Sequence, residues 1–150
     1  MELKLPPVVV FLVFGAVMYL LGTFMPFGLF DFFGRMVLSK TLLGMAMIII
    51  FIAIVQFKKA KTTTDPSNLS KVSRLVTTGI YQFSRNPMYL AMLLILLALG
   101  LKLGNAFNAL TAAGFVAYMN RFQIIPEENT LLNKFGKEYK LYCTLVRRWF

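Results

Sequence analysis

No histidine occurs anywhere in this 150-residue chain. That removes the commonest general base and metal ligand, and with it His-based hydrolases and His-ligated metal enzymes. No metal site is therefore expected. A single cysteine, Cys143, excludes an internal disulfide and says little about redox compartment. Charge is scarce too: 15% of residues are charged against 58% hydrophobic, and mean hydropathy is +0.69. So small a chain has too much surface to cover in water with so few polar groups. The composition is that of an integral membrane protein, read as one domain over 1–150.

What is present is a set of apolar segments. A helix rises about 1.5 Å per residue and a bilayer core is roughly 30 Å thick. Segments 8–25, 36–57, 88–104 and 106–125 are read as four spans. The first has the weakly basic flank Lys4 and no small-residue cleavage site after it, so it reads as a retained span. The fourth is the least apolar, carrying Asn108, Thr111, Asn120, Arg121 and Gln123, as a helix lining a polar cavity should.

The net charge of +10 would suit nucleic acid, but the basic residues lie between the apolar segments. That pattern fits loops against anionic lipid, and no nucleic-acid partner is expected. The loop 58–87 holds Lys58, Lys59, Lys61, Lys71, Arg74 and Arg85; the end of the chain adds Arg121, Lys134, Lys137, Lys140, Arg147 and Arg148. The other loops hold Arg35, Lys40 and Lys102. The bias places both termini, the 58–87 loop and the 126–150 tail in the cytoplasm.

Within that loop, Asp65-Pro66 reads as a turn. Leu69, Val72, Leu75 and Val76 have the spacing of a short interfacial helix ending near Gly79. In the tail, Leu131, Phe135, Tyr139 and Tyr142 recur at helical spacing, predicting one amphipathic helix over 126–142. Trp149 and Phe150 read as interfacial anchors. Gly100 and Gly104 form a Gly-xxx-Gly spacing interrupted by Lys102, a weak association signal.

Two polar clusters stand where apolar segments meet water. In the first, Tyr81, Arg85, Asn86 and Tyr89 surround Pro87. Asn before Pro is a good helix cap, and Arg at a membrane boundary is routine, so capping alone could explain this triplet. The second, Glu127-Glu128, follows Pro126. Carboxylates in a first turn complement the helix dipole. Neighbouring helical residues point about 100° apart, so one glutamate should face a site. The other should meet a basic partner such as Arg85 or Arg121, the latter only across a bend at Pro126.

The order is more specific than any piece. Leu75 to Tyr81, Ser84-Arg85-Asn86-Pro87-Met88-Tyr89-Leu90, Ile125-Pro126-Glu127-Glu128, Leu131, Phe135 to Tyr139, Tyr142 and Val146 to Trp149 follow one another. Together they resemble the isoprenylcysteine carboxyl methyltransferase and phospholipid methyltransferase families, prokaryotic members above all, over about half the chain. Many members have Arg-His-Pro where this chain has Arg85-Asn86-Pro87, and longer relatives have more spans. Both departures bear on the substrate more than on the cofactor.

The resemblance implies an S-adenosylmethionine-dependent methyltransferase of the prokaryotic inner membrane. The donor would be held at the cytoplasmic face by Tyr81, Arg85, Asn86, Tyr89, Glu127 and Glu128. Aromatic faces can attract a sulfonium or stack on adenine, and Arg85 can fork to a carboxylate. A carboxylate acceptor is ionised at neutral pH and needs no base, so the missing histidine is no objection. Arg121, with Asn120 and Gln123, would draw a lipid-borne acceptor such as a prenylcysteine carboxylate into line. An ethanolamine lipid amine is another acceptor open on this reading. Two alternatives stand beside it: a sterol-reductase-like NADPH enzyme, and a non-catalytic membrane protein whose motifs only cap helices.

Overall fold

The computed structural model describes residues 5–25, 27–60 and 75–150. The expected Asp65-Pro66 turn and most of the expected interfacial helix fall outside these residues. Every regular element described is helical. The helices are α1 (Pro7–Phe24), α2 (Arg35–Ala60), α3 (Pro87–Leu103), α4 (Phe107–Met119), α5 (Ile125–Phe135) and α6 (Lys137–Leu145). A short 3-10 turn, Gly79–Gln82, precedes α3, and a π-helical segment, Asn120–Ile124, joins α4 to α5.

Proline at the first position starts α1 and α3, where its missing N–H costs nothing. α3 packs against α1, α2 and α4 and is the central helix. Its inward face supplies Tyr89 and Leu96 to a core shared with Val10 and Met18 of α1 and with Ala112, Phe115 and Met119 of α4. The outward faces of α1 and α2 expose Leu12, Leu20, Val37, Ile48 and Phe51. The buried Ser39 Oγ of α2 donates to the Ala98 carbonyl of α3 at 2.7 Å.

Among the described residues, two helices are long and apolar enough to cross a membrane, Pro7–Phe24 and Arg35–Gln56. Pro87–Leu103 is apolar but shorter, and Phe107–Met119 is shorter still. The fourth apolar segment does not stop at 125. Its helical trace passes through the π segment and on into α5. Pro126 has no N–H to return to the turn before it, and the widened turn shifts the hydrogen-bond ladder there.

The tail differs from expectation as well. Gly136, at φ +53°, divides 126–142 into two helices. The apolar residues still meet, because Tyr139 and Tyr142 pack with Leu131 and Phe135 across that break. Gly79 does not end a helix: residues 75–78 are not helical, and Gly79 opens the 3-10 turn.

Candidate active site

The start of α3 lies against the end of α2 and the start of α5. The 3-10 turn is fastened to α2 through Gln56, whose Oε1 accepts the Ile80 N–H at 3.2 Å. Gly79 has φ +61°, and a Cβ there would lie 1.7 Å from the Gln56 amide nitrogen. Glycine suits that positive φ and leaves Gln56 in place to hold the turn. On the far side, the Tyr142 hydroxyl donates to the Tyr81 carbonyl at 2.6 Å. Burial, with Tyr142 nearby, raises the Tyr81 phenol above its usual range. Burial likewise raises Tyr142, so both stay neutral at working pH.

Asn86 stands before Pro87 but makes no side-chain cap. Its Nδ2 donates instead to the Arg148 carbonyl at 2.9 Å, while its own N–H is taken by Ser84 Oγ at 3.1 Å. The Arg85 N–H donates to the Arg147 carbonyl at 3.1 Å. The capping explanation of Arg85-Asn86-Pro87 therefore covers Pro87 and not Asn86. The triplet is tied to the tail.

The two glutamates diverge as helix geometry requires. Glu127 turns inward, where its Oε1 accepts the Tyr89 hydroxyl at 2.6 Å and Gln123 Nε2 at 2.9 Å. It is 8% exposed. Burial pushes its carboxyl up to about 7, the nearby Glu128 adds to this, and the two hydrogen bonds oppose it. Glu128 turns to the arginines. Arg148 forks onto it, Nε to Oε1 at 3.1 Å and Nη2 to Oε2 at 2.7 Å, and Arg85 Nη2 lies 3.2 Å from Oε1. Pairing with Glu128 raises Arg148 further still. Arg85 also donates from Nη1 to Cys143 Sγ. Its Nε is buried with no partner among the described residues.

Of the residues singled out in the sequence, Tyr89 and Glu127 thus form one cluster and Arg85, Asn86 and Glu128 a second beside it, meeting at the adjacent glutamates, with Tyr81 fastened nearby. Arg121 is in neither. It is exposed, its guanidinium 5.8 Å from the neighbouring Phe122 ring, and Glu128 pairs with Arg85 and Arg148 instead. Arg148 lies in the ordered motif set, within Val146 to Trp149, but is a participant that the motifs did not assign to the site. The available signal was electrostatic, since two adjacent carboxylates at a buried helix start call for cations close by. Trp149 is more than an interfacial anchor: its Nε1 donates to Asn120 Oδ1 at 3.0 Å, pinning the tail to the π segment.

The raised Glu127 carboxyl has a consequence for stability. The folded state holds this proton more tightly than the unfolded chain does. Folding therefore weakens as pH rises from about 4.5 to about 7 and levels off above that. The shift corresponds to about 3 kcal/mol across that window. Relative to Glu127→Gln, wild-type stability in detergent should fall by that order between pH 4.5 and 8. Parallel unfolding curves for the two proteins at all pH values would contradict it.

Described residues whose regular elements are all helical, with membrane-length apolar helices and polar clusters at one end of the bundle, make the frame of a membrane enzyme. The model of the phospholipid methyltransferase family matches residues 34–138, which include every site residue named from the sequence. This chain belongs to that family, and is a membrane methyltransferase by that membership. It is also 52% identical over 62 residues to an uncharacterized protein of Haemophilus influenzae, a match covering 41% of this chain and 98% of that protein.

Proposed function

We propose that this methyltransferase takes its methyl group from S-adenosylmethionine and passes it to a lipid-borne acceptor, a prenylcysteine carboxylate being the leading example. The observation that carries the reading is the direct joining of two motifs far apart in sequence, Tyr89 to Glu127 and Arg85 to Glu128. The residues suit the donor. Arg85 Nε is an unused buried N–H that a carboxylate can accept. Glu127, poised near neutrality, ionises when an ammonium comes beside it or accepts from ribose hydroxyls. Tyr81 and Tyr89 are buried, so they serve as walls, and Tyr89 also aims Glu127 through its hydroxyl. Asn86 and Glu128 hold Arg85 and the tail in place around them.

The donor supplies an already activated methyl group: its C–S bond breaks as the acceptor's electron pair forms the new bond, leaving a neutral thioether. What the protein adds is alignment and exclusion of water. Incubation with methyl-labelled S-adenosylmethionine and a lipid extract should place label in the lipid fraction. Release of that label by mild base marks a carboxyl ester, and retention marks an N-methyl amine. No transfer to any lipid would overturn the reading.

The four-span arrangement, with both termini and the site in the cytoplasm, belongs to the same proposal. It rests on the loop charges. Reporters fused to either end should give cytoplasmic signals. A periplasmic signal after Phe150 would contradict it.

Arg121 is proposed to receive the acceptor. Its side chain is exposed and outside the Glu128 network, so it is available for a carboxylate or phosphate. Arg121→Ala should lower methyl transfer several-fold while S-adenosylmethionine affinity stays within about two-fold. Lys at this position should restore little if the contact is a fork and much if a point charge suffices. Equal turnover in wild type and the Ala variant would show that Arg121 only borders the membrane.

A further inference from the structure

Asn120, Arg121 and Gln123 stand so close in sequence that they read as one polar patch, but the fold turns them to three different places. Asn120 Oδ1 accepts the Trp149 indole N–H at 3.0 Å, and Arg121 is exposed. Gln123 is 3% exposed, and its Nε2 donates to Glu127 Oε1 at 2.9 Å. The π segment accompanies this sorting. At its end the Ile125 N–H donates to the Asn120 carbonyl, five residues back. Widened turns of this kind recur at functional sites.

The bonds around Glu127 are unevenly placed. Both that it receives, from the Tyr89 hydroxyl at 2.6 Å and from Gln123 Nε2, fall on Oε1. Oε2 accepts none from the described residues. Nor is it sealed inside the protein, for it is not among the buried atoms left without a partner, which are Arg85 Nε and two atoms of Asn108. Two donors from different elements, α3 and the π segment, thus converge on one oxygen and leave the lone pairs of the other unused. The titratable groups facing Glu127 are Tyr89 of α3 and the adjacent Glu128, which is itself occupied by Arg85 and Arg148. Glu127 has no ion pair among the described residues, so its ionised form is supported by these two hydrogen bonds.

We propose that Gln123 is a positioning residue of the donor site, holding Glu127 Oε1 so that Oε2 is the oxygen presented to the ammonium of the methyl donor. The inference rests on the S-adenosylmethionine reading and moves Gln123 from the acceptor side of the reaction to the donor side. One hydrogen bond from Tyr89 leaves the carboxyl free to swing about that contact. A second, from another direction, removes the freedom. An amide suits the task because it donates without carrying charge. It supports the carboxylate and does not compete with an incoming cation, as a lysine or arginine in its place would.

The test is calorimetric titration with S-adenosylmethionine between about pH 6 and 9, on wild type, Gln123→Met, Glu127→Gln and the double variant. Methionine keeps the length of the side chain and has no N–H. At pH 8 Gln123→Met should bind about fivefold more weakly than wild type, the weight of one hydrogen bond. The ionised carboxylate has then lost a donor, so the pH at which affinity levels off should rise by about one unit. In the Glu127→Gln background the same change should cost less than about twofold, because no carboxylate remains to be positioned. An equal loss in both backgrounds, or a pH profile that does not move, would overturn the inference and leave Gln123 a packing role, with the donor reading intact. Absence of binding by wild type would overturn the donor reading itself, and this inference with it.

Discussion

Glu128→Ala is expected to destabilise the protein by about 2–4 kcal/mol, the order found when one partner of a largely buried ion pair is removed. Glu128 and Arg85 have side chains only 15% and 12% exposed, and Arg148 is 35% exposed. Removing the carboxylate leaves two guanidinium groups facing one another with no anion between them. It also frees the tail, since Arg148 holds Glu128 with its side chain and Asn86 with its carbonyl. The temperature of unfolding in detergent should fall by about 5–15 °C on the usual scaling for a chain of this size. Removing Arg148 as well should recover part of the loss, because the like-charge pair is then gone. A Glu128→Ala protein as stable as wild type would mean that the network is a surface arrangement of little energetic weight.

Glu127→Gln should behave in the opposite way. Gln keeps the size of the side chain and an oxygen that can accept from Tyr89 and Gln123, and it removes a carboxyl that is costly to ionise. Stability at pH 8 should therefore hold or rise. Affinity for S-adenosylmethionine should drop by about tenfold or more, the weight of one charge-assisted hydrogen bond. The pH dependence carries the same signature. An ammonium beside Glu127 favours its ionised form, so wild-type affinity should strengthen from pH 6 to 8 while the Gln variant stays flat. Unchanged affinity in Glu127→Gln at pH 8 would return this glutamate to a packing role.

These opposite expectations show how far the sequence could be read. That Glu127 and Glu128 serve different partners follows from the 100° between successive helical residues, and Arg85 as one partner was within reach of the same argument. Arg148 was not, because a motif reads along the chain and the tail closes on the site only through tertiary contacts. The role of Asn86 was obscured for a related reason. Asn before Pro has such a strong local preference for capping that a long-range bond to the Arg148 carbonyl leaves no trace in the local pattern.

The apolar segments at 8–25 and 36–57 were legible from composition, since length and hydropathy act residue by residue. The joint at 120–124 was not. Pro126 signals that the helical ladder must be interrupted, and either a bend or a π turn would satisfy it. Packing of Gln123 and Ile124 into the interior coincides with the second outcome. Gly136 was legible as a glycine but was submerged in a hydrophobic periodicity that continues across the break.

The central proposal is that the Tyr81-to-Tyr89 turn and Glu127 together bind the methyl donor. Calorimetric titration of the purified protein at pH 8, with S-adenosylmethionine in one series and NADPH in another, tests it most directly. The account predicts saturable one-site binding of S-adenosylmethionine and no heat of binding from NADPH. Binding of NADPH alone, or of neither, would contradict it.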